Sequence, residues 1–213
     1  MRAHWADRRR ADSAPDALVW AVLGDSAAVG LGAPTPADAY VERAAARLEA
    51  RLGRDVRVIN LARSGATAPE VLERQIPQLR ALAGVDLVSC VVGGNDVAWP
   101  RRFDADGFAA AVQGIAEAIP AGSVLGLVPS FGHWPYDGRA RRANAEIRAA
   151  AGRRGHEVAE LGDAMGSAWG ERLRLLAGDG FHPNARGHDR WAHALAAALV
   201  AAAAPGARGS RAA

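Results

Sequence analysis

A serine, a histidine and an aspartate in this sequence have the types and the spacing that acyl-transfer chemistry requires. Ser26 follows an apolar run, and Asp179 and His182 lie three residues apart across a glycine. A serine hydroxyl is a weak nucleophile, so it needs an imidazole base, and that base needs a carboxylate on its other nitrogen. One tight turn can bring Asp179 and His182 together, whereas Ser26 is distant in the chain. Only the fold can therefore complete this set.

Two other segments carry groups that could stabilise an oxyanion. Gly65 follows the second apolar run of the chain and Asn95 follows the third. The transition state of acyl transfer needs hydrogen-bond donors aimed at the developing negative charge. The backbone N–H groups of Ser26 and Gly65 and the side-chain amide of Asn95 could supply three donors. A glycine suits this position because a residue without Cβ lets the backbone approach the substrate closely.

Each of these segments is positioned by a short apolar run that predicts a strand. The runs are nearly continuous in apolar character, which is typical of strands buried on both faces, as in a parallel sheet. The predicted strands are Ala17–Leu23, Val56–Leu61, Asp86–Val92, Ser123–Val128 and Glu157–Leu161.

Longer amphipathic segments between the runs predict helices over residues 37–52, 67–82, 104–119, 139–153 and 184–203. The second of these begins with a capping box at Thr67, and Pro77 should bend or shorten it. Strands that alternate with helices predict an α/β protein with a parallel sheet and helices on both faces. Catalytic groups in such sheets gather beyond the carboxyl ends of the strands. A strand order of 2-1-3-4-5 would place Ser26 between Gly65 and Asn95.

The four polar segments together resemble the SGNH, or GDSL-type, hydrolase family. They occur in the family's order and span most of the chain, and all four in order are far more specific than any one of them. The one departure is Ala27, where the family's name motif has leucine, at a position that we interpret as packing. The segments are GDSAAVG at 24–30, NLARSG at 60–65, GGND at 93–96 and DGFHPN at 179–184.

The resemblance implies a flavodoxin-like three-layer α/β/α sandwich with a five-stranded parallel sheet in the order 2-1-3-4-5. It implies that Ser26 is the nucleophile and first oxyanion donor, that Gly65 and Asn95 are the other donors, and that Asp179 and His182 complete a triad. It predicts hydrolysis of carboxylic esters or thioesters. The sequence shows no large inserted lid segment, which favours short to medium acyl chains, and we expect no cofactor and no metal. An acyltransferase or sugar O-deacetylase on the same site, and a non-catalytic binding protein that kept the fold, stay open as alternatives.

Three aromatic side chains follow the third and fourth predicted strands, at the same end of the sheet. They are Trp99, His133 and Trp134. We expect them to line the substrate pocket, although they could instead seal the edge of the domain. His188, in the last helix, is expected to be a helix-surface or capping residue.

Composition narrows the class of partner. The chain of 213 residues has 26 basic and 23 acidic residues and a net charge of +3, and its arginines are interleaved with acids. This scatter is unlike the concentrated basic face of a nucleic-acid-binding protein. Cys90 is the single cysteine, which excludes a disulfide framework and a cysteine-based zinc site. We therefore expect a small-molecule acyl ester as the partner and no nucleic acid. The sequence does not determine the oligomeric state, and a monomer is the simplest assembly.

No apolar stretch is long enough to span a membrane, and the first residues lack the apolar core of a signal peptide. These features predict a cytoplasmic protein. The expected organisation is a flexible N-terminal segment over residues 1–15, one hydrolase domain over 16–204 and a flexible tail over 205–213.

Overall fold

A computed structural model describes residues 1–10, 16–99, 101, 103–166 and 169–204. Its centre is a sheet of five strands in the order β2-β1-β3-β4-β5, and every neighbouring pair is parallel. This confirms the predicted fold class and strand order. The strands are β1 (Leu18–Gly24), β2 (Val56–Asn60), β3 (Leu87–Val91), β4 (Val124–Gly126) and β5 (Glu157–Ala159).

Helices connect the strands and cover the sheet. Short helices follow β1 and β3, where the sequence analysis predicts no helix, and a 3-10 turn covers Pro36–Asp38. The helices are α1 (Arg2–Arg10), α2 (Ser26–Val29), α3 (Tyr40–Leu52), α4 (Ala68–Glu70), α5 (Ile76–Arg80), α6 (Gly94–Ala98), α7 (Ala105–Ala118), α8 (Tyr136–Arg154), α9 (Leu161–Ala164), α10 (Trp169–Leu173) and α11 (Ala185–Ala203).

The helix predicted over residues 67–82 is divided into α4, a π-helical turn over Val71–Gln75, and α5. Pro77 lies in the first turn of α5. A proline has no N–H to donate to the preceding turn, and a wider turn accommodates the missing hydrogen bond. The expected capping box is present at Thr67 and Glu70.

Two hydrophobic cores form, one on each face of the sheet. Alternate side chains of a strand point to opposite faces. In β1, Trp20 and Val22 pack with α3 and α11, while Ala21 and Leu23 pack with α7 and α8. Helices on both faces of a buried sheet give the three layers of the predicted sandwich.

The N-terminal residues form α1, a helix that packs against the domain. In α1 the side chain of Trp5 is buried, and its indole N–H donates to the carbonyl of Val29 at 2.8 Å. Arg8 donates two hydrogen bonds of 3.0 Å to Glu42 of α3. An apolar ring with a satisfied N–H and a bidentate ion pair anchor this helix to the domain. Residues 11–15 and the tail 205–213 lie outside the described residues.

Among the helices of the described part of the chain, none combines the length and the apolar character needed to cross a lipid bilayer.

Candidate active site

Ser26 is the first residue of α2, directly beyond the carboxyl end of β1. The chain leaves the strand at Gly24, and the Asp25 carboxylate caps α2 by accepting a hydrogen bond of 2.9 Å from the N–H of Ala27. The helix ends after a single turn because Gly30 adopts the left-handed conformation. This strand–cap–helix turn holds the serine at the edge of the sheet where the other polar segments meet.

His182 and Asp179 complete a chain of hydrogen bonds with the serine. Nε2 of His182 lies 2.8 Å from Oγ of Ser26, and Nδ1 of His182 lies 2.6 Å from Oδ2 of Asp179. A carboxylate can only accept, so Nδ1 carries the hydrogen and Nε2 accepts from the serine hydroxyl. The sequence-predicted triad residues are therefore brought together in the order that proton transfer requires.

Local hydrogen bonds hold Asp179 in place. Its Oδ1 accepts from the backbone N–H groups of Phe181 and His182 at 2.9 and 3.0 Å. Partial burial raises the pKa of this carboxyl, but the hydrogen bonds from His182 and from the two backbone N–H groups outweigh burial and lower the pKa below its usual value. Asp179 is therefore a charged acceptor for the imidazole at neutral pH.

Asn184 anchors the loop that carries His182. Its side-chain oxygen caps α11 by accepting from the N–H groups of Arg186 and Gly187 at 2.9 and 3.2 Å. Its amide nitrogen donates to the carbonyls of Arg174 and Leu176 at 3.0 and 2.9 Å. One side chain thus ties the histidine loop both to the helix that follows it and to the segment before it.

The loops after β2 and β3 are joined by the side chain of Asn95. Its Nδ2 donates to the carbonyl of Ala66 at 2.9 Å, and its Oδ1 accepts from the indole N–H of Trp99 at 2.8 Å. The two bonds define which end of the amide is the donor. The nitrogen keeps one further hydrogen for a ligand.

The backbone N–H groups of Ser26 and Gly65 donate to no other group among the described residues. Gly65 has φ of +81°, and a Cβ at this position would meet nothing within 4 Å. The left-handed backbone turns this peptide in a way that L side chains rarely adopt, and it leaves the peptide open to a substrate.

Two carboxyl groups stabilise the same loops, of which Asp25 is buried and Asp96 half-buried. Asp96 accepts from the N–H of Ala68 with both oxygens at 3.1 Å, and Asp25 caps α2. Burial raises the pKa of each to about 6. Because both carboxyl groups accept from backbone N–H groups of these loops, we interpret their role as structural.

Two further residues position the serine turn, and the sequence analysis gave neither a role, although Asn60 opens the NLARSG segment. Gln75, fully buried in the π-helical turn, accepts from the N–H of Gly24 at 2.9 Å and donates to its carbonyl at 2.8 Å. Asn60, at the end of β2, donates to the carbonyl of Ala28 at 2.8 Å and accepts from the N–H of Ala62 at 3.0 Å. Both fasten the serine turn to neighbouring segments.

His188 corrects the expectation of a surface position. It is fully buried, accepts from the N–H of Tyr40 at 3.2 Å and donates to the carbonyl of Leu31 at 2.9 Å. Burial lowers its pKa to about 4, so it is neutral at neutral pH. It joins α11 to α3 and to the loop that follows Ser26.

A concave pocket opens beside Ser26 and His182, and we call it the Ser26 pocket. It lies between the serine turn, the carboxyl ends of β3 and β4, and the histidine loop. Its other lining residues are mainly apolar and include Leu127, Phe131, Met165, Arg172, Phe181 and Trp191. Sequence reasoning singled out none of these six, because they come from segments that meet only in the fold.

The three aromatic residues expected in the substrate pocket separate into two groups. Trp99 lines a neighbouring depression together with Gly65 and Asn95, and its ring lies 5.0 Å from that of Phe181. Trp134 is 87% exposed, and neither it nor His133 lines this depression or the Ser26 pocket. The structure brings only Trp99 to the candidate site.

Comparison with solved structures gives several close matches in fold. The chain superimposes with a TM-score of 0.72 and 22% identity on TesA, covering 86% of this chain and 99% of that one. On LAE5, an alpha/beta hydrolase enzyme from the metagenome of Lake Arreo, Spain, the chain superimposes with a TM-score of 0.70 and 22% identity, covering 91% of this chain and 98% of that one. On Axe2, an acetylxylan esterase from Geobacillus stearothermophilus, it superimposes with a TM-score of 0.66 and 20% identity, covering 86% of this chain and 94% of that one. These identities establish a shared fold.

Comparison with curated proteins gave no match. A protein-family model does match, and it covers residues 22–190, which include every polar segment described above. The chain therefore belongs to the GDSL-like Lipase/Acylhydrolase family.

Proposed function

We propose that this protein is a serine hydrolase that cleaves carboxylic esters or thioesters of short to medium acyl chains through an acyl-enzyme. One observation carries the proposal. The hydroxyl of Ser26, the imidazole of His182 and the carboxylate of Asp179 form a continuous hydrogen-bonded chain with distances of 2.8 and 2.6 Å. Membership of an acylhydrolase family supports this reading of the geometry.

In the first half of the reaction His182 acts as the general base. Its Nε2 takes the proton of the Ser26 hydroxyl while Oγ forms a bond to the substrate carbonyl carbon, and the carbonyl oxygen becomes an oxyanion. Asp179 keeps Nδ1–H directed toward itself and stabilises the imidazolium. When the tetrahedral intermediate collapses, the bond to the alcohol or thiol breaks, and His182 returns its proton to that leaving group.

In the second half water replaces the alcohol. His182 removes a proton from water while the hydroxide attacks the acyl carbon. Collapse of the second intermediate breaks the bond between Oγ and the acyl carbon and frees the acid, and His182 returns its proton to the Ser26 oxygen. The oxyanion of both intermediates would accept from the N–H groups of Ser26 and Gly65 and from the free amide hydrogen of Asn95. The absence of competing acceptors for the two backbone groups among the described residues supports this assignment.

A fluorophosphonate probe and an ester series test the proposal. We expect the probe to label the wild-type protein and not Ser26→Ala. We expect release of p-nitrophenol from esters of acetate to medium-chain acids, with rates that fall toward palmitate. A thioester and an acetylated sugar, assayed in parallel, would define the leaving group. A folded protein that is neither labelled nor active on any of these substrates would reject the proposed function and favour a binding protein.

A further inference from the structure

The side chain of Arg172, in α10, is a buried cation with no hydrogen-bond partner among the described residues. The residue is only 4% exposed, and Nη1 of its guanidinium is buried and bonds to no residue that the structure describes. Removing a guanidinium from water is costly unless an acceptor or an opposite charge replaces the lost hydration. Burial accordingly lowers the pKa of Arg172.

The nearest compensating groups leave the N–H donors of Arg172 unused. The guanidinium carbon lies 5.8 Å from the centroid of the Phe131 ring, a cation–π contact that uses no N–H. Asp137 attracts the cation electrostatically but forms no ion pair with it in the described part of the chain. Oδ1 of Asp137 accepts instead from the Ser130 hydroxyl and from the N–H groups of Phe131 and Gly132, at 2.8, 2.7 and 3.0 Å.

Arg172 lines the same pocket as Ser26 and His182. Trp191 also lines that pocket, and its buried indole N–H bonds to no described residue. The surrounding side chains are mainly apolar, so a ligand acceptor would meet these donors with little competition from water. The planar fork of a guanidinium matches the two oxygens of a carboxylate.

We infer that the Ser26 pocket recognises a carboxylate on the substrate through Arg172, so that the preferred substrates are esters carrying a negative charge. This inference rests on the proposed function and names its substrate class. A monoester of a dicarboxylic acid would place the charge on the acyl side, and an ester of a hydroxy acid would place it on the alcohol side. Trp191 would donate to the same group.

Matched pairs of esters test the inference. Hydrolysis of the p-nitrophenyl monoesters of succinic, glutaric and adipic acid is compared with that of neutral p-nitrophenyl esters of the same acyl length. 4-Acetoxybenzoate is compared with 4-acetoxybenzamide for the alcohol side. We expect kcat/KM for the best carboxylate ester to exceed that of its neutral partner by about 10-fold to 100-fold, the usual worth of hydrogen bonds to a charged group. A preference among the p-nitrophenyl monoesters would place the carboxylate on the acyl side of the substrate, and a preference for 4-acetoxybenzoate would place it on the alcohol side.

Variants of Arg172 show whether the preference depends on its charge. Arg172→Met should reduce the ratio of the two kcat/KM values by about 10-fold to 100-fold, and Arg172→Lys should retain part of it. Arg142→Met is the matched control, since this arginine of α8 has a side chain 63% exposed, and the variant should keep the wild-type ratio. Circular dichroism melts check that each variant folds.

Two results would overturn the inference. One is a wild-type enzyme that hydrolyses neutral esters without preferring a carboxylate in either arm. The other is a preference that survives in folded Arg172→Met. A protein with no hydrolysis and no fluorophosphonate labelling would reject the proposed function instead. Titration of glutarate into the Ser26→Ala variant, followed by calorimetry, then tests the inference separately. Binding that is abolished when Arg172→Met is added supports the inference, and absence of binding rejects it.

Discussion

Replacing Gly32 by alanine would place a methyl group against the loop that carries His182. A Cβ at this position would lie 2.2 Å from the carbonyl oxygen of Pro183 and 3.0 Å from Cβ of His182. The nearest obstacle is backbone, which cannot rotate away as the end of a flexible side chain can. The loop must retreat, and the imidazole would move with it.

The size of the effect follows from that overlap. Relieving it requires a shift of about 1 Å, and a displacement of that size in a catalytic group can cost about 100-fold in rate. Alanine at φ of +87° also adds backbone strain of roughly 1 kcal/mol. We therefore expect Gly32→Ala to fold with a modest loss of stability and to lose about 100-fold in kcat/KM.

Gly53→Ala separates backbone strain from displacement of the histidine. Gly53 has φ of +62°, and a Cβ there would meet nothing within 4 Å. The Gly53→Ala variant should lose about as much stability as Gly32→Ala and should keep wild-type activity. Hydrolysis of p-nitrophenyl acetate and the rate of fluorophosphonate labelling measure activity, and thermal unfolding measures stability. A folded Gly32→Ala variant with wild-type rates would refute the argument that close packing on Gly32 positions His182.

The remaining predictions concern the oxyanion donor, the triad and a buried carboxyl. Asn95→Ala should fold normally and lose about 10²–10³-fold in kcat; a near-wild-type rate would reject its role. Ser26→Ala should lose at least about 10⁴-fold, and adding His182→Ala should cost little more, whereas multiplicative losses would contradict a shared triad. Burial raises the pKa of Asp25 to about 6, above its unfolded value of about 4. The folded state then binds the extra proton, so the free energy of unfolding should fall by roughly 3 kcal/mol from Asp25 as pH rises through this window. Urea unfolding at several pH values between about 4 and 6 measures this dependence. In Asp25→Asn the free energy of unfolding should fall less steeply with pH, and the remaining fall should come from Asp96. An unchanged pH dependence would exclude Asp25 as its source.

Local patterns in the sequence predict most of the fold. Continuous apolar runs predict all five strands, and their alternation with amphipathic segments predicts the parallel sheet, because these patterns reflect burial of each segment on its own. The structure corrects the expected surface position of His188, and the packing of Trp5 is a contact that the sequence does not predict. Trp5 and His188 are buried by distant segments, through Val29 for the first and through Tyr40 and Leu31 for the second, and local composition carries no information on those contacts.

The sequence by itself determined the parts of the site that a short segment contains. The spacing of Asp179 and His182 across Gly180 allows one turn to join carboxylate and imidazole, and the four motif segments identify the candidate groups. Only the tertiary structure decided how those groups are oriented and what surrounds them. The carbonyl of Ala66 orients the Asn95 amide, Gln75 clamps the strand end before Ser26, and Arg172 lines the pocket. These contacts join residues far apart in sequence, and their geometry depends on how helices and loops pack around the sheet, which no single segment specifies.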